Sequence, residues 1–186
     1  MNFNSHSRLE GRHAFLSPSQ YHWINYSEER LADRYSTARK AQRGTELHLF
    51  AHEAIRLGIK LPDDGSTISM YVNDAIGYKM QVEQPLYYSD NCFGHADTLA
   101  FRTALLRVHD LKTGDTPASA HQLEVYAALF CLEYIITPHE IDFELRIYQN
   151  NEVSSFVPFP ETIVHIMDKI VLFDQRIEEL KEVGAW

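Results

Sequence analysis

Apolar positions recur along this chain with two different periods, and each change of period marks a new element. Leu16-Ser17-Pro18-Ser19 reads as a helix start, with Ser17 as N-cap and Pro18 in the first helical position, and the helix is expected to run to about Leu31. A second helix, from about Ser36 to Leu57, carries Leu47, Phe50, Ala51, Ala54 and Ile55 at helical spacing. It stops at Gly58, before the loop Pro62-Asp63-Asp64-Gly65. Ser69 to Ile76 predicts a short third helix. After Gly77 the period drops to two: Met80, Val82, Leu86 and Tyr88 alternate with Gln81, Glu83 and Tyr87, which predicts a strand with one buried face.

Ser89-Asp90-Asn91 is a turn, and strands over Phe93 to Arg102 and Leu105 to Lys112 complete an antiparallel meander. Thr113-Gly114-Asp115-Thr116-Pro117 breaks that pattern. Helical spacing returns from Ser119 to Ile135, and Pro138 prevents its extension. Ile141 to Tyr148 alternates again, Asn150-Asn151 is a hairpin turn signal, Val153 to Val157 an edge strand, and Glu161 to Val183 an amphipathic closing helix. Repeats, low-complexity segments and dividing linkers are not seen. The expectation is a single domain over residues 1–186: N-terminal helices over 16–58, sheet and central helix over 78–148, and a closing helix over 161–183. Its class is α/β, a mixed central sheet flanked by helices.

Composition narrows the function classes. With 45% hydrophobic and 12% aromatic residues, the 186-residue chain can bury a proper core. Met1 to Ser5 lacks a basic segment followed by an apolar one, and the longest apolar stretch, Tyr126 to Ile136, is interrupted by Glu133 and too short to span a bilayer. A soluble cytoplasmic protein without membrane contact is expected. Two cysteines, Cys92 and Cys131, supply neither a disulfide framework nor a four-cysteine metal site, so no iron-sulfur cluster is expected.

Net charge is -9, which by itself argues against gripping a polyanion. The distribution is uneven. Residues 1–60 hold nine Lys and Arg against six Asp and Glu, whereas residues 61–186 hold eight against twenty. Any basic surface therefore lies with Arg30, Arg34, Arg39, Lys40 and Arg43, unless these are solvated helix faces.

The chemistry concentrates at Asp110-Leu111-Lys112. Side chains two apart on a strand point the same way, so this carboxylate and amine share a face. That pairing suits a divalent metal beside an amine, with a coordinated water and a phosphate between them. Gly94-His95-Ala96-Asp97 precedes it, and Gln122 and Tyr126, four apart on one helix face, follow.

Four segments in order, Gly44-Thr45-Glu46-Leu47-His48, Gly94-His95-Ala96-Asp97, Asp110-Leu111-Lys112-Thr113-Gly114 and Gln122-Leu123-Glu124-Val125-Tyr126, resemble the motifs of RecB-type nucleases of the PD-(D/E)XK superfamily. The resemblance runs from about Leu16 to Tyr148 and is closest to phage-borne and CRISPR-associated exonucleases. It implies a restriction-endonuclease-like core and a metal-dependent deoxyribonuclease, an exonuclease or end-processing enzyme of phage or bacterial recombination and repair. His48, Asp97, Asp110 and the Leu111 carbonyl would hold one or two Mg²⁺ or Mn²⁺ ions, the imidazole suiting Mn²⁺ better. Lys112 would position the attacking water and offset charge on phosphorus, and Gln122 and Tyr126 would orient the lysine or contact the phosphate backbone. Helicase domains are lacking, so DNA would be delivered through a homo-oligomer or a recombination partner.

Plainer alternatives stand beside these roles. His48 and His52 on an apolar helix face could be packed histidines; the ordered partners favour ligation for His48, while packing remains the better reading of His52. Glu46 and Glu53 read as surface carboxylates, and Glu83 as a solvent-facing strand residue or a second-metal ligand. A non-catalytic nucleic-acid-binding or assembly subunit is the alternative function, although such a subunit is expected to have lost one of His48, Asp97, Asp110 and Lys112. Ser89-Asp90-Asn91 and Lys112-Thr113-Gly114 match two β-lactamase signatures, but the Ser-x-x-Lys nucleophile motif is missing.

Overall fold

The first long helix begins after Ser27, whose hydroxyl accepts the Arg30 amide. The computed structural model describes residues 14–184; the opening segment read above for a leader lies outside them. Two compact units divide at Thr45 and Glu46. In the first, Pro18–Asn25 is a 3-10 helix interrupted by a non-helical Gln20, and Tyr26 is extended, so the expected α-helix from Ser17 to Leu31 does not form. Ser17 spends its hydroxyl on Ser19 and its carbonyl on the Trp23 indole, 2.9 Å away, with no side-chain cap. Ser27 instead accepts the Arg30 amide, and Glu28 and Glu29 sit in the first turn, where the helix dipole favours acids. The helix α1 thus spans Glu28–Leu57 and starts eight residues earlier than the expected Ser36.

In the second unit, α2 (Thr67–Gly77), β1 (Gln81–Ser89), β2 (Cys92–Arg102), β3 (Leu105–Leu111), α3 (His121–Tyr134), β4 (Asp142–Gln149), β5 (Glu152–Phe156) and α4 (Pro160–Glu182) follow, each close to its expected range. The five strands form one sheet in sequence order. Every pairing is antiparallel except β3 with β4, which are parallel because α3 carries the chain back across the sheet. Asn150 and Asn151, at φ 52° and 60°, make the tight turn between β4 and β5. The protein is therefore mixed α/β, with a mixed sheet between helices. Among the described residues no helix is long and apolar enough to cross a membrane.

Two cores sit on opposite faces of the sheet. Leu123, Ala127 and Phe130 of α3 and Ile163 of α4 pack with Leu86, Ala96, Leu99, Leu106, Val108, Leu145 and Ile147. Ala51, Ala54 and Ile55 of α1 and Tyr71, Val72 and Ala75 of α2 pack with Met80, Ala100, Leu111 and Tyr148. Phe50, expected on the inward stripe of α1, is 52% exposed instead, because that stripe runs through Ala51, Ala54 and Ile55.

The expectation of one buried face on β1 fails at Glu83. Val82 packs with the second core and Leu86 with the first, although both are even-numbered, and on β2 Ala96 and Ala100 divide the same way. Glu83, at φ 48°, and Asp97 lie opposite each other between the pairs Val82↔Thr98 and Gln84↔Ala96. Both strands therefore switch their inward side at the same rung, and the β2–β3 ladder begins only past it, at Thr98↔His109.

Candidate active site

That interrupted rung opens the sheet where the sequence motifs meet. With no β2 carbonyl opposite it, the Leu111 amide donates to Asp97 Oδ2 at 3.0 Å. The carboxylate is thereby pinned between β2 and β3. On its other side His48 Nδ1 lies 3.5 Å from the same Oδ2.

Asp110 and Lys112 share a side as their spacing predicts. Lys112 Nζ donates to Asp110 Oδ1 at 3.1 Å and lies 2.9 Å from Oδ2, where it is misaligned, so the buried Oδ2 has no hydrogen-bond partner. Asp110 is only 4% exposed. Burial raises its pKa, the Lys112 hydrogen bond opposes that shift, and the nearby charge of Asp97 adds to it.

A relay fixes the lysine from α3. Lys112 Nζ also donates to Gln122 Oε1 at 2.8 Å, Gln122 Nε2 reaches the Tyr126 hydroxyl at 3.4 Å, and that hydroxyl donates to the His95 carbonyl at 2.7 Å. Gln122 and Tyr126 thus orient the lysine, tying α3 to the β2 motif. Gly94 explains why that motif opens on glycine: a Cβ there would stand 3.0 Å from Tyr126 Cε1.

The histidines fall where helix geometry puts residues four apart, on one face of α1. Within 4.8 Å of one another lie one donor atom each of His48, His52 and Asp97, the one such cluster among the described residues. Asp110 is outside it, engaged by Lys112. His48 and Asp97 are therefore brought together as expected, and His52 joins them. Glu83, half exposed, places Oε1 3.2 Å from His52 Nδ1 and accepts from Arg56 at 3.0 Å.

Two buried groups went unread in the sequence. Tyr71 of α2 is wholly buried with no aligned partner for its hydroxyl, and burial followed by the charge of Asp97 raises its pKa well above the usual phenol value. His109, one residue before Asp110 and on the opposite face, bonds the Tyr148 hydroxyl at 3.2 Å. Burial and then the guanidiniums of Arg146 and Arg107, which outweigh Glu144 at 3.7 Å, lower its pKa to about 3.

The site combines a pinned carboxylate, a buried carboxylate paired with a fixed ammonium, and imidazole nitrogens. Of these groups His48, His52 and Asp97 could hold a cation, their donor atoms lying within 4.8 Å of one another. No protein-family profile, curated protein or solved structure matches this chain.

Proposed function

We propose that this chain is a metal-dependent DNA nuclease, an exonuclease or end-processing enzyme serving phage or bacterial recombination or repair. The observation that supports this reading most is the placement of Lys112 Nζ between Asp110 and Gln122, beside the Asp97 and His48 pair. His48, Asp97, Asp110 and the Leu111 carbonyl are the proposed ligands of Mg²⁺ or Mn²⁺. When bound, that ion supplies a water acidic enough to attack phosphorus at neutral pH. The protein's own part is electrostatic and positional. Lys112, held by Gln122 and through it by Tyr126, presents an ammonium to the charge that develops on the phosphate oxygens. Asp97, fixed by the Leu111 amide, holds that same Oδ2 3.5 Å from His48 Nδ1.

DNA is the proposed partner, reached through a homo-oligomer or a recombination protein because the chain is acidic. The test is purified protein with end-labelled linear and circular DNA in Mg²⁺, Mn²⁺ or EDTA. Cleavage in Mn²⁺ at least equal to that in Mg²⁺, with none in EDTA, is expected. Full activity after exhaustive chelation overturns the proposal, and DNA binding without cleavage under any metal favours the non-catalytic subunit.

A further inference from the structure

His52 is 5% exposed on the inward face of α1, and neither ring nitrogen has an aligned hydrogen-bond partner. Leaving a buried polar group unmet is destabilising. The other inward residues around it, Ala51, Ala54 and Ile55, are apolar, and an aliphatic side chain here would pack without that loss. The carboxylates beyond that apolar face, Glu83 at 3.2 Å and Asp97 within 4.8 Å, are what a histidine can meet and an aliphatic side chain cannot.

His48 stands one helical turn earlier, its ring centroid 6.0 Å away and its plane at 85° to that of His52. Asp97 approaches from β2, 3.5 Å from His48. Donor atoms of all three lie within 4.8 Å of one another. A cation bound at about 2.0–2.2 Å holds its ligands within roughly 4 Å of each other, so small side-chain rotations close the set.

Glu83 is the fourth part. A ligating imidazole is ordinarily oriented by a carboxylate on its other nitrogen, and Glu83 Oε1 stands 3.2 Å from His52 Nδ1 while Arg56 holds Oε2 at 3.0 Å. Glu83 reaches this place from a left-handed backbone, φ 48°, a conformation that is strained for a non-glycine residue and persists where its surroundings enforce it.

We infer that His48, His52 and Asp97 form a nitrogen-rich cation site, oriented by Glu83, that takes Zn²⁺ or Co²⁺ in preference to Mg²⁺ or Ca²⁺. Two imidazoles and one carboxylate are a borderline donor set, whereas Mg²⁺ and Ca²⁺ favour oxygen. Asp110, held by Lys112, lies outside this three-residue cluster. The inference rests on the metal-binding half of the proposed function and is independent of hydrolysis.

The experiment uses the full chain with ¹⁵N-labelled histidines, assigned through the backbone, titrated with Zn²⁺ while long-range imidazole correlations are recorded. One equivalent is expected to move the His48 and His52 signals together, and calorimetry with Zn²⁺ is expected to show roughly tenfold or greater weakening in His52→Gln and in Glu83→Gln. Glu53→Gln, at an exposed position of α1, is expected to stay within about threefold of the parent on the same scale. An unmoved His52 signal in the parent protein overturns the inference whether or not His52→Gln folds, as does a loss in Glu53→Gln as large as that in His52→Gln. DNA cleavage with an unmoved His52 signal removes this site alone; Zn²⁺ binding through His52 without DNA cleavage under any metal removes the nuclease reading alone.

Discussion

Gly94 leaves room for the Tyr126 ring, whose Cε1 would lie 3.0 Å from any Cβ placed there. Gly94→Ala therefore displaces the ring and weakens the bond from Tyr126 to the His95 carbonyl, with an expected loss of about 1–3 kcal/mol typical of overpacking. Tyr126→Leu should relieve most of that penalty, so the two substitutions are expected to be strongly non-additive. Urea midpoints of both single variants and the double variant measure this; simple additivity would show that the contact is not under compression.

Lys112→Ala is expected to keep the fold and Mn²⁺ binding while lowering the cleavage rate by on the order of 10² or more, the scale of losing one group that stabilises transition-state charge. Single-turnover cleavage beside calorimetric Mn²⁺ titration separates the two properties. Equal loss of both would contradict a purely chemical role.

Asp110→Asn should abolish cleavage and yet stabilise the metal-free protein. Burial raises the folded pKa of Asp110 above its unfolded value, so the folded state binds the extra proton and stability falls as pH rises through that window. The penalty is fully present only above the raised folded pKa, and below the ordinary aspartate value, about 3.8, it disappears. Melting in EDTA should show a gain for the variant at pH 7 that vanishes near pH 3.5; a loss at neutral pH would mean that the Lys112 contact outweighs burial.

His109 works in the opposite sense. Its folded pKa is lowered to about 3 against an ordinary 6.5, so the unfolded chain binds the proton first. Its contribution is fully present above the unfolded value and is lost as pH falls toward the folded one, on the order of 5 kcal/mol across the whole interval. His109→Gln is expected to flatten the dependence of the urea midpoint on pH between 6.5 and 4. Identical slopes would assign the acid sensitivity elsewhere.

Charge predicts weak DNA binding by the isolated chain. At -9 overall, and with distant charges screened at physiological salt, a monomer should bind DNA weakly and with a small salt slope. Light scattering alongside binding at several salt concentrations checks this, and tight, steeply salt-dependent binding by a monomer would overturn it.

Much of the second unit was legible in the sequence because one-sided burial writes itself as alternation or as helical spacing. Asp110 and Lys112 fell on one side, Gln122 and Tyr126 on one helix face, and the Asn150-Asn151 turn where its residues demand it. The failures have tertiary causes. The Ser17-Pro18 start resembled a cap more closely than Ser27-Glu28-Glu29 did, although only Ser27 bonds an amide of the first helical turn. The spacing did put His52 with His48 on the apolar face of α1 and favoured packing for it, which its burial matches, but nothing in it says that both ring nitrogens lack aligned partners. Tyr71 and the reversal at Glu83 depend on contacts across the sheet that no local pattern carries.

The switch of side at Glu83 and Asp97 also bears on how the second unit comes apart. Each strand of the first hairpin lends one half to the layer beneath α3 and α4 and the other half to the layer beneath α1 and α2. Neither layer can release its half without withdrawing support from the other. Amide exchange at Leu86 and at Val82 should therefore report one common opening event, and the Asp97 rung, lying where the two halves meet, would be lost in that same event rather than by local fraying.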